Sequence, residues 1–271
     1  MSCYYPVSAW KARRFNESGK RGIVFSPRDG FEDMALQVPC GKCIGCKSDK
    51  AMMWSIRCYH EASLHERNAF VTLTYEDAPP ALVKEDLQKF FKRARHSFDF
   101  RYFACGEYGE ATHRPHYHAL IFGQDFLDDA IDISDSLYTS SSLSKLWGHG
   151  LISVAPVTMA SCCYVAGYVH KKVGDDETFT LMSRQPGIGK DWLAKYGDDL
   201  RRTGTVTIEG KELPVPMRYL AWEEEMFSDL KRERAKRFRD MTPDERYKRA
   251  CSLPARELSK KAQVSQRRGS I

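Results

Sequence analysis

The sequence predicts an α+β fold of two layers, with helices packed on one side of an antiparallel or mixed sheet. Three observations lead there. Short runs of alternating, β-branched or aromatic character recur: "AFVTLTY" (69–75), "RYFACGE" (101–107), "RPHYHALIFG" (114–123) and "LISVAPV" (151–157). Between them lie stretches of helical period, at 48–66, at 84–98 and from near Thr158 to about Lys172. Only a short polar connection separates the second and third runs, which marks an antiparallel hairpin. The order is β-α-β-β-(α)-β-α.

The first forty residues are rich in charge and glycine and poorly periodic. In "SDKAMMWSIRCYHEASLHE", Ser48 can cap a helix, and Met52, Ile56, Tyr59 and Ser63 lie near one face. "KEDLQKFFKRARHSF" reads as an amphipathic helix, whereas "DDAIDISDSLYTSSSLSKLW" (128–147) reads as an acidic loop containing a helix. Thr205 to Tyr219 suggests a hairpin turned at Glu209-Gly210. The tail past Asp229 is helical by composition and is expected to break at Pro243 and Pro254. The organisation read from these elements is a Cys-rich segment with a helix over 1–66, a central domain over 67–222 and a basic helical tail over 223–271.

No run approaches eighteen consecutive apolar residues, and the first residues lack a signal-peptide layout, so the expectation is a cytoplasmic protein with no membrane partner. Nine cysteines at irregular spacing fit thiols or metal ligands better than a disulfide framework. The net charge of +6 is unevenly placed: residues 229–271 hold fourteen Lys/Arg against six Asp/Glu, a net +8, leaving the rest near −2. A basic tail on a near-neutral body suits an anionic polymer; a merely solvated tail is the plainer alternative.

Three constellations carry chemistry. His116 and His118 alternate along a strand and therefore share a face. Glu107, nine residues earlier, falls within cross-strand reach over the hairpin. One carboxylate and two imidazoles make a divalent-metal site with open positions, of the kind that polarises a phosphate oxygen. Glu110 and His113 on the connecting loop are alternative ligands. The second constellation is "SCCYVAGYVHKK" (161–172). At ~100° per residue, Met159, Cys162, Val165, Ala166 and Val169 form an apolar face, and Tyr164, Tyr168 and Lys171 form the opposite one. Two phenols with a charge partner can serve as nucleophiles when a base, cation or metal-activated electrophile is near. Gly167 beside them would admit a nucleic-acid backbone. The third is "PCGKCIGCK" (39–47), whose Cys40, Cys43 and Cys46 resemble a zinc knuckle. Cys3 is the expected fourth ligand, with Cys58 and His60 as alternatives. "SRQPGIGKDW" lacks the spacing of a phosphate-binding loop, and no nucleotide-hydrolysis motif occurs, so work on duplex DNA would need a borrowed helicase.

In order, "FVTLTY", "GEYG…RPHYHALIFG" and "YVAGYVHKK" resemble the three motifs of rolling-circle initiators of the HUH endonuclease superfamily. With the cysteine run, the wording is most similar to replication initiators of microviruses, particularly the gokushovirus branch, over roughly residues 36–220. The resemblance implies an RRM-like sheet of about five antiparallel strands, with the tyrosine helix over the histidine face. It implies that His116, His118 and Glu107 hold Mg2+ or Mn2+, and that Tyr164 and Tyr168 are paired nucleophiles. Lys171 matches the lysine three residues after a catalytic tyrosine; Tyr164 has Gly167 at that offset. The implied activity is nicking of origin DNA through a 5′-phosphotyrosyl intermediate, followed by rejoining. Single-stranded and origin DNA, a host helicase and the replication machinery of the bacterial cytoplasm are the implied partners. A non-catalytic zinc-knuckle nucleic-acid-binding protein is the alternative.

Overall fold

A computed structural model describes residues 2–109, 112–169 and 178–268. By internal packing the chain divides into two units, Met1–Asp49 with Asp240–Ile271 and Lys50–Arg239. The first unit opens with β1 (Val7–Phe15), β2 (Arg21–Val24) and β3 (Gly30–Val38), an antiparallel sheet in the order β2-β1-β3. These strands leave no signal in the sequence because both faces are only partly covered, and apolar and charged residues mix without a two-residue period. Gly30 is required by a close approach: a side-chain carbon there would lie 2.3 Å from Trp10 Cβ.

Helix α1 (Ile44–Ala62) starts at Ile44 rather than after Ser48. Cys43 does the capping, since its sulfur accepts from the Cys46 amide at 3.4 Å. Then follow β4 (Asn68–Thr74), α2 (Lys84–Ala94), β5 (Arg101–Tyr108), β6 (Pro115–Phe122), β7 (Ala130–Ser134), β8 (Leu137–Ser140), α3 (Ser141–Trp147), β9 (Ile152–Ala155), α4 (Met159–Gly167) and β10 (Phe179–Met182). The strands form one seven-stranded sheet in the order β10-β5-β6-β4-β9-β8-β7, antiparallel throughout. It is wider than the expected five or so strands. The excess is partly the hairpin β7–β8, which has the composition of a loop; β7 is largely exposed and so lacks an apolar face.

The two-layer expectation also fails, because helices cover both faces. Tyr117, Ala119 and Ile121 of β6 pack with Leu87, Phe90 and Phe91 of α2 and Leu143 and Trp147 of α3. Leu120 and Phe122, pointing the other way, pack with Cys58 and Ala62 of α1 and Cys162 and Val165 of α4. Each such large side chain contributes roughly 1.5–3 kcal/mol on full burial. The clue lies in β6 itself: a strand apolar at both parities is covered on both faces.

The second unit continues with α5 (Lys190–Thr203), the hairpin β11 (Thr205–Ile208) and β12 (Lys211–Pro214), α6 (Met217–Trp222) and α7 (Ser228–Arg239). Glu209 and Gly210 both take positive φ, 50° and 73°, as a two-residue hairpin turn requires. The last helix, α8 (Pro243–Arg268), belongs with β1–β3 in the first unit. Thr242 and Glu245 exchange capping bonds, Thr242 N to Glu245 Oε2 at 2.7 Å and Glu245 N to Thr242 Oγ1 at 3.2 Å. Pro243 sits at the helix start, where its missing N–H costs nothing. Pro254 does not break the helix as expected; α8 runs through it. Contacts from α8 favour continuity: Leu253 packs against the cysteine cluster, and Tyr5 donates to Glu257 Oε2 at 2.5 Å.

Candidate functional site

The β5–β6 register sets Glu107 directly opposite His116 and Cys105 opposite His118. Direct partners share a face, so one carboxylate and two imidazoles project together toward α4. His118 Nε2 lies 2.8 Å and His116 Nε2 3.2 Å from Glu107 Oε1. The three ligand atoms lie within 4.8 Å of one another. The ring orientations are fixed from behind. Thr72, the partner of His118 in β4, places its hydroxyl 3.0 Å from His118 Nδ1. His116 Nδ1 lies 3.1 Å from the Arg114 carbonyl. A carbonyl only accepts, so that Nδ1 carries a proton, and in a neutral ring the Nε2 lone pair faces Glu107. Two lone pairs facing one another repel unless a cation lies between them; this donor set therefore fits a divalent ion.

Glu107 is 2% exposed. Burial alone would favour its neutral form, but hydrogen bonds with His116, His118 and Tyr168 outweigh burial and hold the carboxyl well below the ordinary carboxylate range. The site presents a fixed negative charge.

Helix α4 brings the phenols. Thr158 caps it through a reciprocal pair with Ser161. Tyr164 donates to Glu107 Oε1 at 3.0 Å and lies 3.4 Å from His118 Nε2. Tyr168 stands just past the last helical residue, its ring 5.3 Å from that of Tyr164. The helix is shorter than the sequence suggests, ending at Gly167, the poorest helix former of the segment after which it stops. Both tyrosines face the sheet rather than away from it, packed in the cluster that holds Cys162 and Val165. Burial first, and then the Glu107 carboxylate, push both phenols above their ordinary pKa. Space beside Gly167 is open, with no atom within 4 Å of where a side chain would begin. Lys171 and Glu110 lie outside the described residues. His113 is exposed on the β5–β6 connection and is no member of the triad.

Thr72 is the site residue that sequence reasoning misses. The signal is available: with alternation fixed in both strands, a threonine pairing with His118 has to share its face.

The cysteines form a second cluster. Cys3, Cys40, Cys43 and Cys46 place their sulfurs within 4.8 Å of one another. Amides are aimed at the sulfurs: Cys40 N to Cys3 Sγ at 3.2 Å, and Cys43 N to Cys40 Sγ and Tyr4 N to Cys43 Sγ at 3.4 Å. Burial works against a Cys40 thiolate, but amides of Cys43 and Lys42 prevail and lower its pKa to about 6. Gly45 lets the first residues pass, since a side-chain carbon there would lie 1.6 Å from the Ser2 carbonyl oxygen. Four thiols with amide donors fit tetrahedral zinc. Cys58 and His60 are elsewhere: Cys58 is fully buried in the sheet-side core, and His60 stacks on Trp192 at 3.4 Å. Burial pulls the His60 pKa down to about 3, so it packs as a neutral ring.

Thr72→Val should weaken Mn2+ binding about 10–100-fold, the range seen when an outer partner of a ligating histidine is removed; calorimetric titration measures it, and an unchanged affinity assigns Thr72 to the sheet alone. Cys43→Ser should lower the purified zinc content from about one per chain and reduce thermal stability, because structural zinc contributes to folding. Elemental analysis that finds no zinc in the wild type contradicts the site.

Comparison with known proteins points in one direction. The family model for replication-associated proteins of the ORF2 type matches residues 68–173, the stretch that contains the triad and the tyrosines. Replication-associated protein VP4 of Bdellovibrio phage phiMH2K is 34% identical over 250 residues, covering 82% of this chain and 77% of that protein. Replication-associated protein ORF2 of Spiroplasma virus 4 is 30% identical over 231 residues, covering 73% and 72%. Replication-associated protein ORF4 of Chlamydia phage 1 is 28% identical over 231 residues, covering 74% of this chain and 58% of its own length. No solved structure matches. With a relative of this identity aligned over most of both lengths, the chain belongs to the family of microvirus replication-associated proteins.

Proposed function

We propose that this protein initiates replication by nicking single-stranded origin DNA with a tyrosine and rejoining the ends later, as an HUH-type, metal-dependent strand transferase. The observation that carries the reading is the hydrogen bond of Tyr164 to Glu107, 3.0 Å, in the middle of a Glu-His-His triad. A phenol packed only for shape has no need of that carboxylate. The histidines on an inner strand, with α4 over the same face, are compatible with the RRM-like arrangement that the resemblance implies.

Glu107, His116 and His118 would hold Mg2+ or Mn2+, and a bound divalent ion there would neutralise charge on a phosphate oxygen and favour ionisation of a neighbouring phenol. The chain's own residues do the rest. Glu107 accepts the Tyr164 O–H and so fixes the direction of the phenol oxygen. Attack by a tyrosine oxygen on phosphorus forms a phosphotyrosyl ester and breaks the bond to the 3′ oxygen. That oxygen takes up a proton and leaves as a free 3′-hydroxyl. The phenolic proton passes to solvent. The reverse step restores the phosphodiester, so no external energy source is needed for rejoining. Lys171 is assigned to charge balance at Tyr168. The cysteine cluster holds zinc in a structural role. Unwinding is left to a host helicase.

A cycle that cuts twice needs a second phenol while the first holds a 5′ end, and Tyr164 and Tyr168 stand ring to ring at 5.3 Å. Tyr164→Phe and Tyr168→Phe should each still form an SDS-resistant adduct with a short single strand in Mn2+, and the double variant none. On a circular template each single variant should stall before unit-length product is released. A single variant that completes the cycle at the wild-type rate would falsify the alternating-nucleophile mechanism. Cleavage without any adduct indicates water as the nucleophile, and no cleavage at all favours the non-catalytic zinc-knuckle reading.

A further inference from the structure

The β1–β3 sheet has a surface that neither the triad nor the cysteine cluster explains. Three large apolar side chains on or next to the β1–β2 hairpin stand in solvent: Phe15 is 63% exposed, Phe25 65% and Ile23 46%. Scattered exposed apolar residues are ordinary, but these are interleaved with cations. Lys11 pairs with Ile23 and Arg21 with Phe15 across the hairpin, so each pair shares a face. The Arg21 guanidinium lies 4.0 Å from the Phe15 ring centre and 4.8 Å from that of Phe31. It also donates to the Ala12 carbonyl at 3.1 Å, which holds it flat over the hairpin. A flat guanidinium among half-covered rings is the chemistry on which nucleobases stack.

Charge points the same way. Residues 1–49 carry eight Lys/Arg against five Asp/Glu, and residues 240–271 eight against four. The first unit therefore has a net charge of +7 in a chain whose total is +6, and residues 50–239, with the triad, are near neutral. From Lys11 to Arg21 there are five cations and a single acid, Glu17. A second copy of the chain docked on this hairpin would set like charges against each other.

We propose that the β1–β2 hairpin is a stacking platform for single-stranded DNA: Phe15 and Phe25 take base faces, and Lys11, Arg14 and Arg21 take phosphates. The platform holds the strand without reading its sequence. It rests on the reading that the protein handles single strands, but it does not depend on tyrosine chemistry. Aromatic stacking supplies the salt-independent part of affinity and phosphate contact the salt-dependent part.

The test is fluorescence anisotropy of a labelled oligothymidylate of about twenty nucleotides, a length that exceeds usual single-strand site sizes, over a range of salt. Phe15→Ala with Phe25→Ala should weaken binding at least about tenfold and leave the salt slope as it is. Lys11→Gln with Arg14→Gln should flatten the slope by about 1.4, the value for two single-strand phosphates. Phe25→Trp should retain affinity, and its emission should be quenched on adding the oligonucleotide; this reports contact without removing a ring. In parallel, adduct formation by the aromatic double variant on a short scissile strand at saturating DNA should equal the wild type. Loss of adduct in the wild type would count against the nicking mechanism alone, since oligothymidylate binding is read separately. Wild-type affinity in the aromatic double variant, or an unquenched Phe25→Trp, overturns the platform. So does a dimer in sedimentation that this variant loses with its DNA affinity unchanged; the hairpin is then a self-association surface.

Discussion

A carboxylate taken out of water on the inner strands of a sheet needs donors or a cation around it, and much of the second unit can be understood as meeting that need for Glu107. Removal of a charge from solvent costs several kcal/mol unless it is paired and hydrogen-bonded. The antiparallel register of β5 and β6 delivers one histidine directly opposite and a second two residues on, and α4 closes over them with two phenols. Each partner has its own backing: Thr72 behind His118, the Arg114 carbonyl behind His116, and the Thr158–Ser161 cap at the start of α4. The opposite face of the same strands is apolar and packed on α2 and α3, which keeps the register from slipping.

The charge that suits DNA is placed apart from this centre in sequence and in packing unit. The near-neutral second unit carries the triad, and the first unit carries the excess of lysine and arginine on β1–β3 and α8. Such a division lets affinity respond to salt while the chemistry at Glu107 is governed by local hydrogen bonds, which salt screens far less.

Much of the candidate site is legible in the sequence because strand alternation is strict. One residue between His116 and His118 puts them on one face, and a short connection puts Glu107 across from them. The tyrosine spacing is legible too, but its facing is not. A helical wheel separates an apolar face from a tyrosine face without saying which one meets a sheet, and here the phenols are the polar edge of the buried face. The three-stranded sheet and β7 are hidden because exposed strands carry no apolar period. The second helical layer is easily overlooked, although Leu120 and Phe122 lie at the parity of the histidines and need cover. Pro254 signals a break through its missing amide alone, whereas contacts along α8 offset the loss of one hydrogen bond.

The central claim is that Glu107, His116 and His118 form one divalent-metal centre. Electron spin echo envelope modulation on the Mn2+-loaded protein tests it most directly. The expected result is modulation from two directly bound imidazole nitrogens in the wild type, reduced to one in His116→Ala and abolished together with tight Mn2+ binding in Glu107→Gln. Mn2+ bound without nitrogen modulation, or bound equally well by Glu107→Gln, would contradict it.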